Sequence, residues 1–129
     1  MYYLDTSVVV PLYVNEAKSS DCQQFINTHK SNLALSRWTI VEVYSAFSLL
    51  KRTGVLRPAD ATLLSQTLER QVIVYFSILN PSIADFLMAR DCLSHHSFAL
   101  NLRAADALHV ALAKNQGLEL VTSDANMAK

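Results

Sequence analysis

Four short apolar segments alternate along this chain with longer stretches of helical character. The predicted strands cover residues 2–5, 32–35, 75–79 and 118–122. The predicted helices cover residues 7–13, 17–28, 38–52, 58–71, 81–94 and 102–115. Strands that alternate with helices pair in parallel, because each helix returns the chain to the same end of the sheet. The sequence therefore predicts an α/β fold, a three-layer α/β/α sandwich around a short parallel sheet.

Prolines, asparagines and the only two glycines mark the predicted helix boundaries. Gly54 and Gly117 each follow a turn that contains lysine or arginine, which is typical of a helix C-cap. The predicted start signals are Pro58, the pair Asn80-Pro81, and Asn101. So few glycines exclude the glycine-rich loops that bind nucleotide phosphates.

The composition describes one globular domain over residues 1–129, with 51% hydrophobic and 17% charged residues. The net charge is zero, so nucleic acid would be bound through local lysines and arginines or through a metal. Cys22 and Cys92 are too few for a disulfide framework, and we expect reduced thiols. Neither a signal peptide nor an apolar run of about 20 residues is apparent, so we expect a soluble, cytoplasmic protein without a membrane segment.

Four carboxylates stand in segments that otherwise carry no formal side-chain charge. They are Asp5, Glu42, Asp106 and Asp124, the only Asp, Glu, Lys or Arg within residues 1–15, 38–50, 104–113 and 120–128, respectively. A carboxylate among apolar neighbours must be paired, protonated or bound to a cation, because an unpaired charge away from water is costly.

The predicted fold brings these carboxylates towards one edge of the sheet. Asp5 ends the first strand and Asp124 follows the last, while Glu42 and Asp106 lie near the starts of helices. The carboxyl edge of a parallel sheet is where ligands bind in open α/β folds. Carboxylates about 5 Å apart repel by roughly 3 kcal/mol per pair at an effective dielectric near 20, and a divalent cation removes that repulsion. Oxygen ligands favour Mg²⁺ or Mn²⁺, which activate water for phosphodiester hydrolysis.

The four acidic segments together resemble the PIN domain, and VapC-type toxins in particular. The matching segments are Asp5-Thr6-Ser7, residues 36–43 around Glu42, residues 103–111 around Asp106, and residues 120–124. The resemblance covers nearly the whole chain and implies a PIN-like fold with Mg²⁺- or Mn²⁺-dependent cleavage of single-stranded RNA. It also implies a VapB-like antitoxin partner and a homodimer. The chain ends five residues after Asp124, so we expect a single PIN-like domain that lacks the last helix and strand of the family.

The resemblance also assigns roles to individual residues. Asp5, Glu42 and Asp106 would form the core of the metal site and catalytic site, which Asp124 completes. Two neighbouring hydroxyls, Thr6 and Ser7, would orient Asp5 or a metal-bound water. Independently of the resemblance, two arginines near the inferred cleft, Arg37 and Arg103, are candidates for contact with RNA phosphates, because a neutral protein would concentrate its few positive charges where phosphate binds.

Each acid also has a purely structural interpretation. Glu42 fits a capping box with Thr39, Asp5 fits a helix cap, and Asp124 fits a turn, whereas Asp106 inside an apolar helix is harder to explain in this way. Two other functions stay open. One is a catalytically degenerate PIN-like module that binds a partner. The other is a phosphatase or phosphotransferase with Asp5 as nucleophile, which usually needs a second aspartate where this chain has Ser7.

Other polar and aromatic residues receive structural predictions. We expect His109 to be a packed histidine rather than a metal ligand, and Trp38 to pack in the core. Asp85 is predicted to lie on the surface, with the bulkier residues of its helix, such as Phe86, facing the core. His95 and the following histidine are predicted to end that helix in solvent.

Overall fold

The computed structural model describes the backbone of residues 1–100 and 102–123, and their side chains except those of residues 96–100. The elements are, in order, β1 (Tyr2–Leu4), α1 (Thr6–Tyr13), α2 (Ser19–Thr28), β2 (Leu33–Ser36), α3 (Arg37–Arg52), α4 (Pro58–Tyr75), β3 (Ser77–Leu79), α5 (Ile83–Leu100), α6 (Ala104–Asn115) and β4 (Glu119–Val121). Of the start signals, Pro58 does occupy the first turn of α4. Asn101 lies outside the described residues.

The four strands form one parallel sheet in the order β3-β2-β1-β4. Tyr3 of β1 lies opposite Ala34 of β2 on one side and Leu120 of β4 on the other. All strands therefore end at the same edge, with β1 in the interior of the sheet. This arrangement confirms the predicted α/β fold with a short parallel sheet.

The side chains of β1 divide the core between the two faces of the sheet. Leu4 belongs to a cluster formed with α1 to α4, whose other buried members are Val8, Val9, Cys22, Leu33, Leu35, Val43, Phe47, Leu68 and Val72. Tyr3 belongs to a second cluster formed with α5 and α6, which contains Ala89, Ala107, Leu108, Ala111, Leu112 and Ala113. Successive strand residues point to opposite faces, so these clusters form two interfaces between the sheet and its helical layers.

The two glycines adopt the backbone conformation that the sequence predicts. Gly54 has φ +81° just after α3, and Gly117 has φ +66° just after α6. Glycine reaches this left-handed region at little cost because it has no Cβ. Both predicted helix C-caps are confirmed.

Helix α4 is longer than predicted, and β3 starts correspondingly later. The run Val72-Ile73-Val74-Tyr75 has strand propensity, yet it forms the last turn of the helix. Val72 is buried four residues after buried Leu68, so it continues the helical face that packs on the core. Tertiary packing therefore overrides the β-propensity of these residues.

The orientation of α5 corrects two predictions. Asp85 is only 1% exposed, whereas Ile83, Phe86 and Leu87 are largely exposed. The buried face carries Asp85 and Ala89, and the Asp85 carboxylate accepts a hydrogen bond of 2.7 Å from Asn115 Nδ2 on α6. Small side chains let the two helices pack closely, and the asparagine supplies the partner that a buried carboxylate needs.

The ends of α5 and α6 also differ from the predictions. Helix α5 begins at Ile83, where Ser82 Oγ and the Asp85 carboxylate each bond the other's backbone N–H, so Asn80-Pro81 is not the start signal. It continues to Leu100 and does not end at His95, whose side chain is exposed as expected. Helix α6 begins at Ala104 rather than at residue 102. Among the described residues, no helix is long and apolar enough to span a bilayer.

Candidate functional site

Asp5 is the first residue after β1 and the N-cap of α1. Its Oδ1 accepts hydrogen bonds from the backbone N–H of Ser7 at 3.0 Å and from Ser7 Oγ at 2.5 Å. The carboxylate is almost completely buried. The structural role of Asp5 as a helix cap is therefore real, and Ser7 orients its side chain, as the sequence suggested.

Glu42 reaches the same edge from α3. Its Oε1 accepts a hydrogen bond of 2.8 Å from Thr6 Oγ1, and it is also in contact with Nε2 of His109. The side chain is 24% exposed, so the carboxylate is partly accessible from solvent. Thr6 therefore orients Glu42. The sequence predicts a different role for this hydroxyl, the orientation of Asp5 or of a metal-bound water.

The capping box of α3 does not involve Glu42. Ser36 is the N-cap, and its Oγ accepts a hydrogen bond of 3.0 Å from the backbone N–H of Thr39. The interpretation of Glu42 as the partner of Thr39 in a capping box is wrong. Its carboxylate is turned towards α1 and α6 instead.

His109 is 2% exposed and has a protein partner at each ring nitrogen. Nε2 contacts Glu42, and Nδ1 lies 2.6 Å from the hydroxyl of Tyr3, which lies 2.8 Å from Ser36 Oγ. Burial raises the pKa of Tyr3 to about 12, with smaller contributions from the negative charges of Glu42 and Asp5. The phenol therefore keeps its proton at neutral pH.

Asp106 lies in the first turn of α6, where its Oδ2 accepts a hydrogen bond of 3.3 Å from the backbone N–H of Arg103. This contact resembles half of a capping box and gives Asp106 a local structural role. His109 follows three residues later on the same side of the helix. Helix α6, which carries both Asp106 and His109, is therefore in contact with Glu42 through the His109 side chain.

Asp124 lies outside the described residues, but the two residues before it contact the Asp5 segment. Ser123 N–H donates to Ser7 Oγ at 2.9 Å, and Ser123 Oγ donates to the carbonyl of Ser7 at 3.1 Å. Thr122 Oγ1 lies 3.3 Å from Ser7 Oγ. The end of β4 therefore lies against the start of α1.

The two predicted arginines differ in their surroundings. Both are exposed. Arg37 donates a hydrogen bond of 2.7 Å from Nε to Asn80 Oδ1, while Arg103 occupies the N-cap position of α6 and donates its backbone N–H to Asp106. Lys18 was not singled out from the sequence, because it lies in an ordinary charged segment. Its Nζ donates to the carbonyl of Ser123 at 3.0 Å, beside a shallow cavity of about 470 Å³ that Thr6 and Ser7 also line.

Sequence reasoning missed the hydroxyl groups behind the carboxylates. Tyr3, Ser36 and Thr39 stand in segments whose apolar pattern predicts packing, and their hydrogen bonds join residues far apart in the chain. No local signal in the sequence identifies such partners. Trp38 packs against the cluster around Tyr3, in agreement with its predicted packing role.

The donors present at this edge suit a hard divalent cation in chemical type. Asp5, Glu42 and Asp106 offer carboxylate oxygens, which Mg²⁺ and Mn²⁺ prefer. Among the side chains that the structure describes, in residues 1–95 and 102–123, no three from His, Cys, Asp or Glu are close enough together to hold a metal. Asp124 lies outside that search. The described geometry joins Glu42 to Thr6 and His109, and Asp5 to Ser7.

Comparison with known proteins gives a consistent result. The model of the PIN domain family matches residues 2–129. No curated protein matches the chain.

Solved structures share the fold at low sequence identity. VapC20 of Mycobacterium tuberculosis, described as a toxin that cleaves the sarcin-ricin loop, superposes with a TM-score of 0.78 at 16% identity, over 99% of this chain and 93% of that one. FitAcB from Neisseria gonorrhoeae gives 0.79 at 21% identity, over 98% and 90%. A toxin-antitoxin complex from Klebsiella pneumoniae gives 0.71 at 19% identity, over 96% and 87%. Because the family model matches almost the whole chain, the protein belongs to the PIN domain family.

Proposed function

We propose that this protein is an endoribonuclease that depends on Mg²⁺ or Mn²⁺, cleaves single-stranded RNA and acts as the toxin of a toxin-antitoxin pair. The observation that carries the proposal is the set of carboxylates at the carboxyl edge of a PIN fold. There Asp5 is held by Ser7, and Glu42 is held by Thr6 and His109. One of the similar structures is VapC20, described as a toxin that cleaves the sarcin-ricin loop.

The proposed metal ligands are Asp5, Glu42, Asp106 and Asp124. A divalent cation held there would make an attacking water more acidic and stabilise the charge that develops on the phosphoryl oxygens. Ser7 and Thr6 keep two of the carboxylates in place through their hydroxyls. Each of these two carboxylates is therefore held in a defined orientation by a neighbouring hydroxyl.

The cations around the edge are the proposed contacts for RNA phosphates. Arg37 and Arg103 are exposed, and Lys18 borders the cavity beside Thr6. A protein without net charge has no general attraction for RNA, so a few local cations must supply it.

The proposed protein partners are a VapB-like antitoxin and a second copy of this chain. One of the similar structures supports an antitoxin, namely the toxin-antitoxin complex from Klebsiella pneumoniae. The apolar side chains of Ile83, Phe86 and Leu87 are exposed on α5. Such a stripe is typical of a surface that a partner covers.

Cleavage of single-stranded RNA by the full-length protein tests the proposed activity. We expect cleavage with Mg²⁺ or Mn²⁺, loss of cleavage with a chelator, and loss in Asp106→Asn. Asp91→Asn is the matched control, because Asp91 is an exposed aspartate on α5 that pairs with Arg90. Cleavage that persists in Asp106→Asn or in chelator would refute the proposed mechanism.

Mn²⁺ titration monitored by thermal unfolding separates the enzyme from a degenerate partner-binding module. A cation that binds only the folded protein raises its melting temperature. We expect this rise in the wild type and in Asp91→Asn, and a smaller rise in Asp106→Asn. Intact protein that shows neither a rise nor RNA cleavage would instead indicate the degenerate module.

A further inference from the structure

The Glu42 carboxylate is a meeting point of three segments of the chain. Its Oε1 accepts a hydrogen bond from Thr6 of α1 and contacts His109 of α6. Thr6 directly follows Asp5, and His109 lies three residues after Asp106. One carboxylate therefore links the segments that carry three of the proposed metal ligands.

A buried chain of hydroxyl groups lies behind His109. The hydroxyl of Tyr3 is 2.6 Å from His109 Nδ1, 2.8 Å from Ser36 Oγ and 3.3 Å from Thr39 Oγ1. Tyr3 is completely buried, and so are Ser36 and Thr39. These bonds hold the imidazole in one orientation, because each of its nitrogens has a fixed partner.

The hydrogen bonds also determine which atom carries the proton in the neutral imidazole. A carboxylate can only accept hydrogen bonds, and a neutral imidazole has one donor and one acceptor nitrogen. Nε2 must therefore donate to Glu42, which leaves Nδ1 to accept the proton of the Tyr3 hydroxyl. In this arrangement the phenol selects the tautomer that can hold Glu42.

We propose that His109 and Tyr3 are positioning residues that hold the Glu42 carboxylate in the orientation that binds the divalent cation. This inference rests on the proposed nuclease function. Glutamate has several rotatable bonds, so a carboxylate that is free to move binds a cation less well than a fixed one. Partners that orient metal ligands typically change metal affinity by about 10- to 100-fold when they are mutated.

A purely structural role for Tyr3 and His109 would give a different experimental result. If Tyr3 and His109 only fill the core, their mutation lowers the stability of the fold and leaves the Mn²⁺ affinity of the folded protein unchanged. The affinity must therefore be measured directly, on full-length protein without RNA. Electron paramagnetic resonance of free Mn²⁺ does this, at a temperature where circular dichroism shows each variant to be folded.

Two substitutions of His109 separate its two hydrogen bonds. The amide nitrogen of glutamine reaches the position of Nε2, so His109→Gln keeps a donor for Glu42. The amide of asparagine reaches only the position of Nδ1, so His109→Asn keeps the contact with Tyr3 and loses the one with Glu42. We expect His109→Asn to weaken Mn²⁺ binding about tenfold or more, and His109→Gln to bind nearly as well as the wild type.

Tyr3→Phe tests the second member of the pair and decides the matter if His109→Asn does not fold. It removes only the hydroxyl, and we expect weaker Mn²⁺ binding than in the wild type. Asp85→Asn is the control for a variant that loses stability without a change near Glu42. Asp85 accepts a hydrogen bond from Asn115, the last residue of α6, whereas Asp106 lies in the first turn of that helix. The Mn²⁺ affinity of Asp85→Asn should equal that of the wild type.

The outcomes distinguish this inference from the proposed function. Wild-type affinity in both His109→Asn and Tyr3→Phe would overturn the positioning role, while the difference between the wild type and Asp106→Asn would still support the metal site. A wild type that takes up no Mn²⁺ would overturn the metal site and the positioning role together.

Discussion

Replacing Asp85 by alanine should destabilise the protein strongly, although the residue looks like a surface acid in the sequence. The carboxylate accepts hydrogen bonds from the backbone N–H of Ser82 at 2.8 Å and from Asn115 Nδ2 at 2.7 Å. Hydrogen bonds to a charged group contribute about 1.5–3 kcal/mol each. Ser82 and Asn115 are both exposed, so water can replace the lost acceptor and each bond contributes near the lower end of that range.

The expected loss is about 3 kcal/mol in the free energy of unfolding, because two such bonds are lost but the contributions are not fully additive. For a chain of this size that corresponds to a melting temperature lower by about 10 °C. Urea denaturation followed by circular dichroism measures the difference. Asp91→Ala is the control, since Asp91 is an exposed aspartate on the same helix and should show little change.

The difference in the free energy of unfolding between the wild type and Asp85→Ala should depend on pH. Burial alone raises the pKa of Asp85, but the hydrogen bonds from Ser82 and Asn115 outweigh it and place the pKa below the usual value. A carboxyl with a lower pKa in the folded state stabilises the protein above its unfolded pKa of about 3.9 and loses that contribution as the pH falls through the folded value. The gap between wild type and Asp85→Ala should therefore shrink from pH 7 to pH 3. A gap below about 0.5 kcal/mol at pH 7, which is usual for surface positions, or one that does not shrink in acid, would refute this reasoning.

Three further substitutions test the packing, the helix ends and the exposed stripe. Phe47→Ala should lower the free energy of unfolding by about 3–5 kcal/mol in urea denaturation, because it empties a buried site; a loss under about 1 kcal/mol would contradict the described core. Gly117→Ala should cost about 1–2 kcal/mol in the same assay, because φ is +66° there; an unchanged midpoint would contradict the left-handed cap. Ile83→Lys should leave the fold intact and reduce the content of the proposed homodimer in light scattering, because Ile83 is 80% exposed on the surface proposed for a partner; an unchanged oligomeric state would exclude α5 as the interface.

Local chemistry made much of the architecture predictable. Four apolar segments alternate with helical ones, and the parallel sheet follows from that order. Gly54 and Gly117 end helices because glycine alone reaches a positive φ cheaply. Asp5 could be placed at the carboxyl edge because a strand ends just before it. Such features depend on residues that are neighbours in the chain.

The wrong predictions concern segments whose sequence pattern is compatible with two structures, α5 with its two possible buried faces and the end of α4. The α5 segment has apolar residues on more than one face, so its periodicity does not show which face is buried. The structure buries Asp85 and Ala89, because α6 lies against that face and supplies Asn115, and it exposes Ile83 and Phe86. The α4 segment likewise ends in residues with strand propensity that continue the helix because Val72 still packs on the core.

The sequence by itself identified the isolated carboxylates and the order of strands and helices, since charge isolation and apolar periodicity are properties of short segments. Only the tertiary structure decided what holds Glu42. Its partners Thr6 and His109 lie 36 and 67 residues away, and Tyr3 lies 106 residues from the histidine that it orients. A hydrogen bond acts over about 3 Å, so such partners meet only when the sheet and helices have brought distant segments together.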